Sequence, residues 1–318
     1  MTRRRLSCFT AERPAALLLA CGLALLPRVG RAAPRQTPAP QAPAPQMNGA
    51  SVAPLCVRGL SHAPPAVAGE SFTYRLDLLG ADVGSFQISI GVPPDAAPKA
   101  ATLLLTSRTR TNAFVSTHVG RYEAFASTLI GEGLKPLSYT EEIDDGDTHR
   151  SQGVEFPPRE GKLAVHLTVN GKPEELSLGA TPAARDILSA WLAIRGVPLR
   201  PGTPFCTEVY AGKHMWRVSG SVAAKEQIDT LFGSMMTARI DTIATRADDP
   251  GVVRNAHVWV TDDARRLPVV AIAEVKGRTI RAQLSDAIGP NEKPLVAAKK
   301  TRREETREAS GSAGIGRR

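Results

Sequence analysis

The sequence predicts a mainly β fold, either a large curved antiparallel sheet or an open β-barrel, with one inserted helix. Three observations support this prediction. Hydrophobic residues make up 42% of the 318 residues, which is enough for a folded core. About a dozen segments alternate apolar and polar residues, with the period of two that is typical of half-buried antiparallel strands. A single segment has helical spacing instead. A sheet with so many strands is expected to curl, split or close because strand twist accumulates.

The first predicted element is a hairpin. In Ser71–Leu78 every second residue from Phe72 onward is apolar, and Ser85–Ile90 repeats this alternation. Residues 80–84, with the sequence GADVG, supply the turn between the two strands. The same alternation predicts five further strands: Thr102–Thr109, Arg121–Ile130, Leu137–Ile143, His149–Phe156 and Leu163–Val169.

One helix is predicted after these strands. Thr181 is the expected N-cap, Pro182 occupies the first helical position and Gly196 ends the helix. Its apolar side chains recur at helical spacing and include Ile187, Leu188, Trp191, Leu192 and Ile194. Two interpretations remain open: the helix plugs one end or face of the sheet, or Trp191 stacks on a ligand.

Strands resume after the helix: Phe205–Tyr210, Met215–Val222, Thr237–Thr245, Val253–Val260, Pro268–Val275 and Thr279–Leu284. No linker-like composition and no internal repeat interrupts residues 55–290. We therefore predict that residues 55–290 form a single β-rich domain.

The N-terminal region predicts export. Residues 1–32 read as a signal peptide, with arginines before a short apolar run and small residues near its end. The apolar run is short for a membrane span, and a periplasmic location follows. Two alternatives stay open: an uncut N-terminal anchor, or lipidation of Cys21, which would attach the protein to a membrane. Residues 33–54 form a Pro/Ala-rich linker.

Positive charge is concentrated towards the two ends of the chain. Most of the formal net charge of +9 lies near the two ends, and the part between residues 51 and 292 carries a slight negative charge. A nucleic-acid partner is therefore not expected. Residues 291–318 read as a basic disordered tail, which is either simply solvated or makes a weak contact with a membrane surface or envelope polymer.

The cysteines predict one disulfide bond. Cys8 and Cys21 lie in the predicted signal peptide, which leaves Cys56 and Cys206 in the exported chain. Two thiols in an oxidising compartment are most simply read as a bridge. Two unpaired buried thiols are the alternative.

No catalytic motif is present, and the six histidines lack the spacing of a metal site, so neither a catalytic residue nor a metal nor a cofactor is predicted. The acidic residues Asp144, Asp145 and Asp147 are expected to form a hairpin turn rather than a calcium loop. The candidate rim for a ligand or partner consists of Asp262, Asp263, Arg265 and Arg266, with Trp191 as a further candidate. The alternative for Asp262–Arg266 is a plain turn between two strands.

Several of these segments carry a resemblance to a known family. They are Gly69–Tyr74, Gly84, Asp186–Ser189, Ile194-Arg195 and Val258–Val269. Over residues 68–286 the chain resembles the bacterial envelope family called domain of unknown function 3108. The resemblance implies an exported, mostly antiparallel β domain, and it implies no established activity.

Three functions remain open from the sequence. The favoured hypothesis is an exported, non-catalytic binding or assembly module for an apolar or envelope-derived partner, such as a lipid, an acyl chain or an envelope protein. The second is an enzyme that processes envelope polymer with Asp and Glu residues. The third is a structural scaffold that binds a protein through an exposed sheet edge. An apolar cavity would favour the binding module, and paired buried carboxylates would favour the enzyme. A solid core would favour the scaffold.

Overall fold

The computed structural model describes residues 66–94, 102–275 and 278–296. The predicted signal peptide, the linker, Cys56 and the tail beyond Val296 lie outside the described residues. Leu295 and Val296, which the sequence assigned to the basic tail, pack against the hydrophobic core. The folded part therefore continues past the predicted boundary at residue 290, to Val296 within the described residues.

Strands dominate the described chain. They are β1 Ser71–Leu78, β2 Ala81–Gly91, β3 Leu103–Thr111, β4 Glu123–Ile130, β5 Pro136–Asp144, β6 His149–Glu155, β7 Lys162–Val169, β8 Lys172–Gly179, β9 Arg185–Asp186, β10 Pro204–Ala211, β11 His214–Thr230, β12 Gly233–Arg246, β13 Val253–Thr261, β14 Pro268–Val275 and β15 Arg278–Ile288. The α-helices are α1 Ala113–His118 and α2 Ile187–Ile194. The prediction of a mainly β fold is confirmed.

All fifteen strands belong to one sheet that is not closed. Its order runs from β8 back to β1, then from β15 back to β9. Neighbouring strands are antiparallel, except that β9 runs parallel to β10. The first and last strands pair along their length, from Ser71 with Ile288 to Leu78 with Ile280. This pairing joins the two halves of the chain and leaves β8 and β9 as the two edges.

The sheet curves around α2. The helix contacts β3 and β4 from the first half and β9 and β10 from the second half, so both halves bend towards it. Every residue of α2 is buried, as expected for a helix that is apolar on all sides. The packing therefore supports the interpretation that the helix plugs one end or face of the sheet.

The interior has an apolar and a polar part. Most of the buried side chains of β10–β15 are apolar. The inward side chains of β3–β6 include several buried polar groups, namely Ser107, Thr109, Thr128, Glu141 and Gln152. A buried polar group needs a hydrogen-bond partner, so these side chains restrict how the two halves can meet.

The predicted start of the helix is wrong. The helix begins at Ile187, and its N-cap is Asp186 rather than Thr181. The Asp186 carboxylate accepts the backbone N–H groups of Leu188 and Ser189. Thr181 lies in a turn, and residues 185–186 form β9 beside β10. Tertiary pairing has converted the first predicted turn of the helix into a turn and a short strand.

Three regions of secondary structure were missed by the pattern. Helix α1 has six residues, of which only Val115 is buried, so it shows no apolar periodicity. Strand β8 has no buried side chain and forms a charged sheet edge. The β11–β12 hairpin extends to Thr230 and Gly233, well past the predicted end at Val222. Backbone pairing extends through the outer part of this hairpin, where Ile228, Phe232 and Met235 are only partly buried against the core.

Candidate functional site

An apolar cleft lies between α2 and the inner face of β10–β13, with a cavity volume of about 50 Å³. Helix α2 contributes Ile187, Ala190 and Ile194, which share one face at spacings of three and four residues. The strands contribute the rest of the lining: Phe205, Thr207, Val209, Ala211, Trp216, Val218, Thr242, Ala244, Ala256 and Val258. Alanines from both helix and strands leave space where larger side chains would meet, so the cleft is a narrow slot.

The cleft opens where its lining residues are only half-buried. These are Thr207, Val218 and Thr242, on three neighbouring strands. The hydroxyl of Thr242 donates to the carbonyl of Ala256 at 3.0 Å, and that of Thr207 points to a backbone carbonyl at 3.5 Å. The wall therefore presents an almost purely apolar surface, with two hydroxyl oxygens near its mouth.

Sequence reasoning missed the alanines that shape this cleft. Ala256 and Val258 are inward positions of β13, and Ala244 is an inward position of β12. Small residues at inward positions of adjacent strands would have been the signal. Strand alternation alone could not have placed them opposite α2.

The candidate rim residues Asp262, Asp263, Arg265 and Arg266 form a compact connection between β13 and β14. Asp263 accepts the backbone N–H of Arg265 at 2.9 Å, the Thr261 hydroxyl at 2.9 Å and the Arg265 guanidinium. Partial burial tends to raise the pKa of Asp263, but the hydrogen bonds from Arg265 and Thr261 outweigh it and hold that pKa below its ordinary value. Asp262 pairs instead with Lys225 at 2.6 Å.

The connection is attached to the end of α2. Arg266 has a left-handed backbone, with a φ of 52°, and its guanidinium donates to the carbonyl of Val197 at 2.8 Å. The carbonyl of Arg265 accepts a hydrogen bond from Arg195 at 3.0 Å. Within the part of the chain described, Asp263, Arg265 and Arg266 bond chiefly to neighbouring protein groups rather than project into the cleft.

Arg195 and Glu70 form a buried ion pair next to this connection. Two guanidinium nitrogens donate to the two carboxylate oxygens at 2.8 and 3.3 Å. The guanidinium also lies 5.1 Å from the ring centre of Phe72 and 5.9 Å from that of Trp191. The segments that carried the family resemblance, at residues 69–74, 194–195 and 258–269, therefore meet at one buried cluster.

Gly84, also part of the resemblance, lies where β2 and β3 approach closely. A Cβ atom at this position would lie 2.1 Å from the carbonyl oxygen of Arg110. Only a residue without a side chain fits such an approach, so Gly84 has a packing role.

Trp191 lies in the core. It is 3% exposed, and its ring packs 5.3 Å from that of Phe72. It does not belong to the residues that line the cleft, which contact other positions of α2. Stacking of Trp191 on a ligand stays a prediction.

A buried polar seam joins the two halves of the sheet opposite the β1–β15 pairing. Tyr210 on β10 donates to the Gln152 side chain on β6 at 2.8 Å, and Gln152 in turn donates to Glu141. Thr128 on β4 donates to Asp186 at 2.7 Å. The Tyr210–Gln152 and Thr128–Asp186 hydrogen bonds connect strands that no backbone ladder joins.

The two buried carboxyl groups of the seam are each held by protein partners. Burial raises the pKa of Glu141, and nearby Arg150 offsets part of that rise. Burial likewise raises the pKa of Asp186, against the hydrogen bonds that it accepts from Ser189 and Thr128. Neither residue lines the apolar cleft, so these carboxyl groups do not provide the geometry of a polymer-processing site there.

The remaining predictions concern the cysteine pair, the acidic turn, metal sites and membrane spans. Cys206 lies on β10, and its predicted partner Cys56 is outside the described residues. Asp144 and Asp145 form the expected hairpin turn between β5 and β6. In residues 66–94, 102–275 and 278–296, no group of three or more His, Cys, Asp or Glu side chains could hold a metal ion. Among those same residues, no helix is long and apolar enough to cross a membrane.

The chain matches a protein-family model over most of its length. A family model described as "Protein of unknown function (DUF3108)" matches residues 73–285. No curated protein matches the chain.

Solved structures that match the chain include the following three. The first is a beta-barrel-like protein of domain of unknown function DUF1849 from Brucella abortus, with 10% identity and a TM-score of 0.48, covering 70% of this chain and 98% of that one. The second, from Bacteroides fragilis, is described as a candidate exported protein with a YmcC-like fold, with 9% identity, a TM-score of 0.33 and coverages of 72% and 99%. The third is described as a candidate lipoprotein from Parabacteroides distasonis, with 7% identity, a TM-score of 0.31 and coverages of 71% and 98%.

Proposed function

The chain belongs to the family of proteins of unknown function DUF3108, and from this premise we propose that it is an exported, non-catalytic binding module for an apolar ligand. The observation that carries the proposal is the cleft between α2 and β10–β13. Ligand sites are typically concave and mostly apolar, with few polar groups. A narrow slot of about 50 Å³ walled by alanines has room for a few methylene groups and fits a slender hydrocarbon chain better than a ring system, so a segment of an acyl chain is the proposed occupant.

The periplasmic location is part of the same proposal and is supported by the arginine-rich start and short apolar run of residues 1–32. Attachment through a lipid on Cys21 remains the alternative. An acyl chain is available to an envelope protein in either location, because the membranes on both sides of the periplasm consist of acyl lipids.

The other two candidate functions have less structural support. An enzyme would need carboxyl groups at a substrate cleft, whereas Glu141 and Asp186 are occupied by protein partners away from the cleft. A scaffold that adds a strand at its sheet edge would use β8, since the other edge strand, β9, has only two residues, and in β8 Lys172, Glu174 and Glu175 are exposed. Charged residues on an edge strand oppose such pairing.

Filling the cleft is expected to abolish binding of a neutral chain. We expect Ala244→Phe and, at the mouth, Val218→Trp to weaken the binding of dodecanol by at least about tenfold, because each occupies space that the chain would use. Isothermal titration calorimetry at monomeric probe concentrations measures this. The matched control is Ala164→Phe, which adds the same ring on the exposed face of β7. Equal dodecanol affinity in all four proteins, or no binding by the unmodified protein, would contradict the proposal.

The proposed disulfide between Cys56 and Cys206 is tested separately. Alkylation of the unreduced mature protein is expected to label neither thiol, and alkylation after reduction should label both. A bridge that closes so long a loop is expected to stabilise the fold by about 4–5 kcal/mol on the chain-entropy estimate. Quantitative labelling without reductant would rule the bridge out.

A further inference from the structure

An arginine lies on the face of β13 that lines the cleft. Ala256 and Val258 line the cleft, and strand alternation places Arg254 on the same face, two residues before Ala256. In the sheet register, Arg254 stands directly opposite Ala244, which also lines the cleft. Arg254 therefore occupies the next inward position beyond the apolar wall, towards the start of β13.

The guanidinium of Arg254 has no carboxylate partner among the described residues. One terminal nitrogen donates to the carbonyl of Val253 at 2.9 Å in a solvent-exposed contact, whereas Nε is buried and has no hydrogen-bond partner among the residues that the structure describes. A buried N–H group without an acceptor costs free energy, and an anion at this position would remove that cost.

The neighbouring charges are already paired. Arg246 lies on the same face of β12, and its guanidinium contacts Asp248 at 2.8 Å and Asp249 at 3.1 Å. His214 contacts Asp248 as well, at 3.2 Å. Asp248 and Asp249 thus pair with Arg246 rather than with Arg254. A negative charge that pairs with Arg254 has to come from outside the part of the chain that the structure describes.

From this arrangement we infer that the ligand is an anionic amphiphile, whose chain occupies the cleft and whose carboxylate or phosphate binds Arg254. The inference rests on the proposed function and adds the chemistry of the headgroup. A planar guanidinium can donate two parallel hydrogen bonds to a carboxylate or to a phosphate. A hydroxyl headgroup carries no charge and cannot pair with the guanidinium in this way. A free fatty acid and a phosphate-bearing lipid share this chemistry.

The test compares three probes with one chain length: dodecanoate, dodecyl phosphate and dodecanol, all at monomeric concentrations. The unmodified protein is expected to bind at least one of the two anions about tenfold more tightly than dodecanol, the gain typical of a hydrogen bond to a charged group. The anion that binds more tightly identifies a carboxylate or a phosphate as the natural headgroup. Added salt is expected to reduce the preference.

Arg254→Leu is expected to remove the preference for the anions and to change dodecanol affinity less than about twofold, because the cleft itself is intact. Arg217→Leu is the matched control, since Arg217 is exposed on the outer face of β11 and its loss changes net charge equally. An anion preference that survives Arg254→Leu, or equal binding of all three probes by the unmodified protein, would overturn the inference and leave the apolar site standing. Failure of all three probes to bind would overturn both.

Discussion

Replacement of Arg195 by alanine is expected to destabilise the fold by about 3–5 kcal/mol, the effect of leaving one charge of a buried ion pair uncompensated. The Arg195 side chain is 0% exposed and that of Glu70 is 7% exposed. Alanine removes both hydrogen bonds to Glu70 and the one to the carbonyl of Arg265. The Glu70 carboxylate would then lie in the core without its cation. Urea unfolding measures the loss as a lower transition midpoint.

Two further variants separate the buried charge from general damage to the core. Arg159→Ala breaks an ion pair with Glu155 that is exposed to solvent, and its midpoint is expected to match that of the unmodified protein. The double variant Arg195→Met with Glu70→Leu is expected to lose less stability than Arg195→Ala alone, because it leaves no unpaired charge. If Arg195→Ala unfolds at the same urea concentration as Arg159→Ala, the assigned role of the ion pair is wrong.

Asp186→Ala is expected to destabilise the fold by about 3 kcal/mol, since it combines the loss of a helix N-cap with buried donors left without an acceptor. The Asp186 carboxylate accepts the N–H groups of Leu188 and Ser189 and the hydroxyls of Thr128 and Ser189. It therefore holds both the start of α2 and its contact with β4. Thermal unfolding monitored by circular dichroism measures the effect. A loss below about 1 kcal/mol would contradict this dual role.

The stability that Asp186 contributes is expected to decrease as pH rises. Burial raises the pKa of Asp186 in the folded protein above its value in the unfolded chain. The folded state therefore binds the proton more tightly, and the stability that this group contributes is full below its unfolded pKa and is lost as pH rises through its folded pKa. Asp186→Asn cannot ionise, so the stability difference between the unmodified protein and this variant is expected to shift in favour of the variant from pH 4 to pH 7. A shift in the opposite direction would show that the folded pKa lies below the unfolded one.

The sequence predicted strands best where one face packs on the core. Strand β1 has buried residues at every second position from Phe72 to Leu76 and was predicted with its observed bounds. For β2 only the second half was predicted, because residues 81–84, which were assigned to the turn, already pair with β1. In β8 the first half of the strand is exposed and charged, the alternation is limited to Leu176 and Leu178, and the strand was not predicted. The start of α2 was misplaced because Thr181 and Pro182 are good local signals for a helix start, whereas pairing with β10 decides the conformation of residues 185–186.

The position of the candidate rim in the fold was predicted from the sequence, whereas its function was left open. Asp262–Arg266 was predicted as a connection between two strands, and the structure contains that connection. Its aspartates and arginines are oriented by hydrogen bonds to Lys225, Val197 and one another, which the sequence could not reveal. A role of this segment in binding a ligand or a partner stays a prediction.

The sequence by itself determined the β character of the protein, most strand positions and the inserted helix, because side-chain alternation and turn residues act over a few neighbouring positions. The tertiary structure decided which distant positions meet. Glu70 meets Arg195, β1 pairs with β15, and Arg254 comes to lie beyond the alanine wall that faces α2. These contacts depend on how far the sheet curves around its helix. That curvature is a property of all fifteen strands packed together and leaves no signal in any single segment.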